Sequence, residues 1–136
     1  MSHERTIRVL HIDDEEDQLR FTKMFLEELD HRIVVDSVSD PEEALRLHRW
    51  EHYDVVLSDY VMVKMTGLNL LRKVRESSDV PFILYTGKGG EEVAESAFKE
   101  GADSYIKKDT EPTHYEVLSK CIRQIVERRR ARIRLL

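Results

Sequence analysis

Five short apolar runs, each followed by a stretch of helical periodicity, constrain this chain more than any other feature. Ile7–Ile12 (IRVLHI), Ile33–Val38, Val55–Ser58, residues 81–86 (PFILYT) and residues 104–106 read as strands, being short and rich in β-branched or aromatic residues. The intervening stretches read as helices. Residues 17–29 place Leu19, Thr22, Phe25, Leu26 and Leu29 on one face, and Pro41–Trp50 opens on Asp40-Pro41, an N-cap followed by proline at the first helical position. Gly67–Arg75 carries Leu68, Leu71 and Val74, residues 91–100 stop at Gly101, and a long helix starts at Thr113. Strict alternation of strand and helix predicts a parallel sheet covered on both faces, because parallel neighbours need right-handed crossovers. The expected fold is flavodoxin-like, a doubly wound (βα)5 arrangement with strand order 2-1-3-4-5.

The composition fits one such domain. The 136 residues are 40% hydrophobic and 36% charged, enough apolar material for one core and too much for a disordered chain. With 22 Lys+Arg against 27 Asp+Glu the formal charge is −5, but it is unevenly spread. Residues 120–136 hold seven basic side chains and one acid, leaving −11 on residues 1–119. The single cysteine, Cys121, excludes an internal disulfide and reads as a small core residue of the last helix. No apolar run reaches the roughly 18 residues of a membrane span, and the N-terminus lacks a secretory pattern, so a cytoplasmic location is expected.

Ligands of doubly wound sheets bind beyond the carboxyl ends of the strands, so the residues found there carry the functional reading. The first strand ends in Asp13-Asp14, the third in Asp59 and the fourth in Thr86, while Lys108 lies just past the fifth. Clustered carboxylates repel by about 4 kcal/mol per pair at 4 Å and an effective dielectric near 20. A hard divalent cation offsets that repulsion, and oxygen-only ligands favour Mg²⁺ over zinc. Mg²⁺ favours phosphate oxygens as further ligands. Asp59 would then be a nucleophile toward phosphorus, with Thr86 and Lys108 neutralising the phosphoryl oxygens.

The segments VLHIDDEED (9–17), VVLSDYVMVKMTG (55–67), ILYTG (83–87) and GADSYIKK (101–108) resemble the receiver domain of two-component response regulators. The resemblance covers residues 5–126 and leaves 127–136 as a basic C-terminal helix extension or linker. It implies that Asp13 and Asp14 hold Mg²⁺ with Asp59 and the backbone carbonyl of Val61. It also implies that Asp59 accepts phosphate from a histidine kinase or phosphotransfer protein, that Thr86 and Lys108 bind the phosphoryl group, and that Tyr105 is a switch residue. Such a protein is a signalling switch, its own phosphorylation and dephosphorylation being its only chemistry. Its output would pass through the face of the fourth helix, fifth strand and fifth helix. Two positions depart from the family pattern: Val63 stands where proline is usual, and Asp109 rather than proline follows Lys108. YTGKGGEE with Lys-Asp resembles receivers of archaeal multi-domain sensory proteins.

Other features have plainer readings. Glu15, Glu16 and Asp17 suit a helix N-terminus. Gly87-Lys88-Gly89-Gly90 lacks the phosphate-loop spacing and reads as a flexible turn. His3, His11, His31, His48, His52 and His114 show no ligand spacing and read as surface residues. The basic tail reads first as a helix C-terminus whose arginines favour the dipole and are freely solvated, and alternatively as the exit of the last helix toward a downstream domain or a homodimer paired as a coiled coil, its apolar stripe running through roughly Arg130. Direct nucleic-acid binding is not expected, since no aromatics interleave the tail and the body is acidic. Helix five consumes the remaining length, so the expectation is a stand-alone receiver or a fragment cut in a linker. Two rival classes are a phosphorylation-independent pseudo-receiver that only binds protein, and a metal-dependent phosphohydrolase. The latter lacks the usual second acid, since Val61 stands two residues after Asp59.

Overall fold

The computed structural model describes residues 5–136, so His3 lies outside the described residues. The elements run β1 (Ile7–Ile12), α1 (Glu16–Leu29), β2 (Ile33–Val38), α2 (Pro41–Trp50), β3 (Val55–Ser58), α3 (Gly67–Arg75), β4 (Phe82–Thr86), α4 (Glu91–Lys99), β5 (Ser104–Lys107) and α5 (His114–Arg134). All strand pairs are parallel and the sheet order is β2-β1-β3-β4-β5. This is the flavodoxin-like order the alternation predicts.

Side-chain alternation along the strands divides the core in two. Leu10, Ile12, Val56, Phe82 and Leu84 face one layer, where Leu71, Val74 and Ala97 cover them. Ile7, Val9, Val55, Leu57, Ile83 and Tyr85 face the other, against Leu26, Leu118, Ile122 and Val126. The period of two in the strands therefore meets the helical stripes of α1 and α5 on one face, and of α3 and α4 on the other.

Local signals place the helix ends. The Asp40 side chain accepts the Glu42 N–H at 3.0 Å at the start of α2, and Thr66 accepts the Asn69 N–H at 3.1 Å at the start of α3. Helix α4 ends in a Schellman motif: Ala102 N–H donates to Ala97 O (2.9 Å), Gly101 N–H to Phe98 O (3.1 Å), and Gly101 has φ +103°.

The structure departs from the sequence reading at Pro81, Leu29, His11 and the end of β5, which takes in Lys107. Pro81 precedes β4 rather than joining it; its carbonyl accepts the Val56 N–H at 2.8 Å, but it has no N–H to donate. Leu29, expected on the inner face of α1, is 43% exposed. His11, expected at the surface, is fully buried, because both faces of the central strand β1 are covered over most of its length. Helix α5 continues to Arg134. Its later turns are held by Arg129, which donates to Asp79 O (2.8 Å) and Oδ1 (2.7 Å), and by Arg130, which donates to Thr6 O (2.7 Å) and lies 3.2 Å from Asp54 Oδ1.

Candidate functional site

The parallel ladder itself brings the acidic residues together. One residue past β1, Asp13 N–H donates to Val38 O (3.2 Å); one residue past β3, Asp59 N–H donates to Ile12 O (3.0 Å). These bonds fix both carboxylates at the same rim, where β1 and β3 diverge to helices on opposite faces. Asp13 Oδ1 accepts the Glu15 N–H at 2.9 Å, Asp59 Oδ1 the Tyr60 N–H at 2.8 Å, and Asp14 Oδ2 the Val63 N–H at 3.2 Å. One oxygen from each of Asp13, Asp14 and Asp59 lies within 4.8 Å of the others.

Lys108 supplies the positive charge. Its Nζ donates to Asp13 Oδ2 at 2.6 Å and stands 3.4 Å from Asp59 Oδ2. Its own N–H donates to Thr86 O at 3.0 Å, extending the β4–β5 ladder beyond the strand ends. Lys107 is exposed, and strand alternation turns it to the face opposite Lys108. Burial raises the Asp13 carboxyl above the ordinary carboxylate range, more than its bonds to Lys108 and to the Glu15 N–H lower it, and the nearby Asp59 charge adds to the rise. Three carboxylates facing one ammonium leave uncompensated negative charge. The oxygen-only donor set fits a hard divalent cation.

Gly67 maintains the Asp59 position from behind. Its N–H donates to Tyr60 O at 2.7 Å, and a β-carbon at this position would lie 2.2 Å from Asp59 O and 2.7 Å from Leu84 Cδ1. Only glycine permits this approach.

The remaining predicted residues occupy distinct places. Thr86 is buried at the end of β4, and its Oγ1 accepts the Lys88 N–H at 3.0 Å rather than contacting the carboxylates. Val61 lies in the β3–α3 loop with its side chain half exposed. Tyr105 pairs with Leu84 and packs, half-buried, on the α3–α4 layer. No cis peptide bond occurs among the described residues, including the Lys108–Asp109 link. Sequence reasoning missed Tyr85, whose buried ring centroid lies 5.6 Å from Lys108 Nζ. Alternation along β4, which turns Tyr85 to the opposite face from Leu84, was the available signal.

Residues 9–120 match the model of the response regulator receiver domain. The chain belongs to this family. The transcriptional regulatory protein SrrA of Staphylococcus aureus is 34% identical over 104 residues, covering 76% of this chain and 42% of SrrA. The chain thus spans less than half the length of such curated relatives. Among solved structures, the response regulator receiver domain protein from Clostridium thermocellum is 30% identical with a TM-score of 0.79, covering 92% of this chain and 98% of that one. The CheY-like receiver domain protein from Methanospirillum hungatei JF-1 is 27% identical with a TM-score of 0.78, covering 93% and 98%. Receiver domains are signalling domains of two-component systems that work with histidine kinases or phosphotransfer proteins, and they typically bind Mg²⁺ at an acidic pocket. Among the described residues no helix is long and apolar enough to cross a membrane.

Proposed function

We propose that this receiver takes a phosphoryl group from a phosphohistidine onto Asp59. The carrying observation is Asp59 at the end of β3, with Asp13, Asp14 and Lys108 converging on it. Asp13, Asp14, Asp59 and the Val61 carbonyl would hold Mg²⁺. Bound there, Mg²⁺ neutralises carboxylate and phosphoryl oxygens. A carboxylate oxygen of Asp59 forms the new bond to phosphorus as the phosphorus–nitrogen bond breaks and the imidazole departs with the electron pair. Lys108 is already placed to transfer its ammonium from Asp13 to a phosphoryl oxygen. Thr86 gives up the Lys88 N–H and turns its hydroxyl toward the phosphoryl group.

On this reading, Thr86 draws the β4–α4 loop inward and Tyr105 moves into the space vacated, changing the face of α4, β5 and α5. Gly89, at φ +98°, and Gly90, whose β-carbon position is open, suit a loop that rearranges. Residues 5–126 form the receiver in this proposal, and 127–136 lead toward a downstream domain or a second copy. The cytoplasm is the proposed compartment, with a histidine kinase or phosphotransfer protein as donor.

Acetyl phosphate with Mg²⁺ should add one labile phosphate to the wild-type chain and none to Asp59→Asn. The same adduct on Asp59→Asn would overturn the assignment. The pseudo-receiver alternative draws on the short Lys108–Asp13 ion pair, which already occupies part of the pocket, and on the two departures from the family pattern, Val63 and Asp109. It predicts no Mg²⁺-induced NMR shifts at residues neighbouring Asp14 and Asp59.

A further inference from the structure

A hydrogen bond that phosphotransfer does not use joins the phosphorylation rim to the start of α5. Tyr85 Oη and His114 Nε2 are 2.5 Å apart, and His114 Nδ1 is 2.7 Å from Glu111 O. A carbonyl oxygen only accepts, so Nδ1 carries a proton; in the neutral ring Nε2 then holds a lone pair and the Tyr85 hydroxyl donates to it. Burial and the neighbouring Tyr115 hold the Tyr85 phenol above its ordinary pKa, so it keeps the proton it donates.

The rings form a continuous layer. Lys108 Nζ lies within cation–π range of Tyr85, Tyr85 is 5.8 Å from the His114 ring, and His114 is 4.1 Å from Tyr115. Tyr115 in turn stacks on Phe25 of α1 at 4.8 Å. Tyr85 and Thr86 are also consecutive at the end of β4, so moving Thr86 toward a phosphoryl group moves the backbone that carries Tyr85.

We propose that Tyr85 is a positioning residue for Lys108, and that its hydrogen bond to His114 passes the position of Lys108 to the first turn of α5. This path runs on the opposite sheet face from Tyr105. It rests on the reading that Lys108 moves from Asp13 to the phosphoryl group. A short O–H···N bond is strongly directional, so the pair has two distinct arrangements, bonded and released.

The test uses the full chain labelled with ¹⁵N-histidine, with Mg²⁺ and beryllofluoride as phosphoryl mimic. The ¹⁹F signal of bound beryllofluoride reports loading at Asp59 independently, and His114→Gln assigns the His114 resonances. Loading should shift both His114 ring nitrogens, and Tyr85→Phe, which keeps the ring, should load while losing that response. Tyr85→Leu should slow phosphorylation by acetyl phosphate about three- to tenfold, and Tyr85→Phe should restore the rate. Loading without any His114 shift, or an undiminished shift in Tyr85→Phe, overturns the path to α5. Equal rates in wild type and both variants overturn the positioning role, and the Phe variant keeps the path testable if Tyr85→Leu does not fold. Failure of beryllofluoride to load wild type overturns the proposed function itself.

Discussion

Gly67 shows how much of the rim depends on a residue with no chemistry of its own. A methyl group there would press on the Asp59 carbonyl and on Leu84, both packed from other directions. Gly67→Ala should therefore destabilise the fold by about 1–3 kcal/mol, as overpacking does, and shift Asp59. Urea unfolding measures the first effect, and a reduced rate of acetyl-phosphate labelling measures the second. The carboxylates and Lys108 were legible in the sequence because a strand end is a defined place, and alternation separates Lys108 from Lys107. The Thr86 hydroxyl was less so, since its bond to the Lys88 N–H belongs to a turn whose geometry no periodicity encodes. Tyr85–His114 was not legible at all: the two residues are 29 positions apart and meet only when β4 and α5 are assembled.

Element boundaries followed local chemistry where that chemistry was strong. Gly101 ends α4 as its position suggested, and the Arg75 guanidinium completes the corner by donating to Gly101 O at 2.7 Å and Val80 O at 2.7 Å. Gly101→Ala forces an L side chain into positive φ and should cost about 1–2 kcal/mol, measured by thermal unfolding. The corner between α1 and β2 depends on charge instead. Asp30 Oδ1 accepts Arg32 Nε–H at 3.2 Å, Oδ2 accepts Arg32 Nη2–H at 3.0 Å, and Arg123 of α5 stands 3.6 Å away. The Arg32 bonds hold the Asp30 carboxyl below its ordinary value of 3.8. A depressed acid contributes stability above its unfolded pKa and loses it as pH falls through the folded pKa. Asp30→Asn should thus be less stable than wild type by about 1–3 kcal/mol at pH 7. That gap should close as the pH is lowered below about 4, and urea midpoints at pH 7, 4 and 3 would show it. The exposed Leu29, the last residue of α1, marks where helical periodicity overreached.

For the molecule as a whole, the basic tail is partly built into the acidic body. Arg130 is 14% exposed and meets Asp54, itself 10% exposed, at the end of the sheet away from the carboxylate rim. Arg130→Ala should cost about 1–3 kcal/mol, because Asp54 loses a charged partner, while Arg134→Ala, exposed beyond the last contact, should leave the melting temperature unchanged. The fold class was readable from the order of elements alone. This anchoring was not, since it depends on tertiary contacts between α5 and loops far away in sequence. The acidic rim has its own resident cation, and the ion pair between Lys108 and Asp13 has a consequence for metal binding. A tethered ammonium competes with free divalent ions as an intramolecular ligand, at an effective concentration in the millimolar range typical of short tethers. On the proposed reading, apparent Mg²⁺ affinity reflects exchange against that lysine rather than occupation of bare carboxylates. Lys108→Met should therefore bind Mg²⁺ more tightly than wild type in a calorimetric titration while accepting phosphate more slowly. The same side chain would weaken the loading of the site and hasten its chemistry.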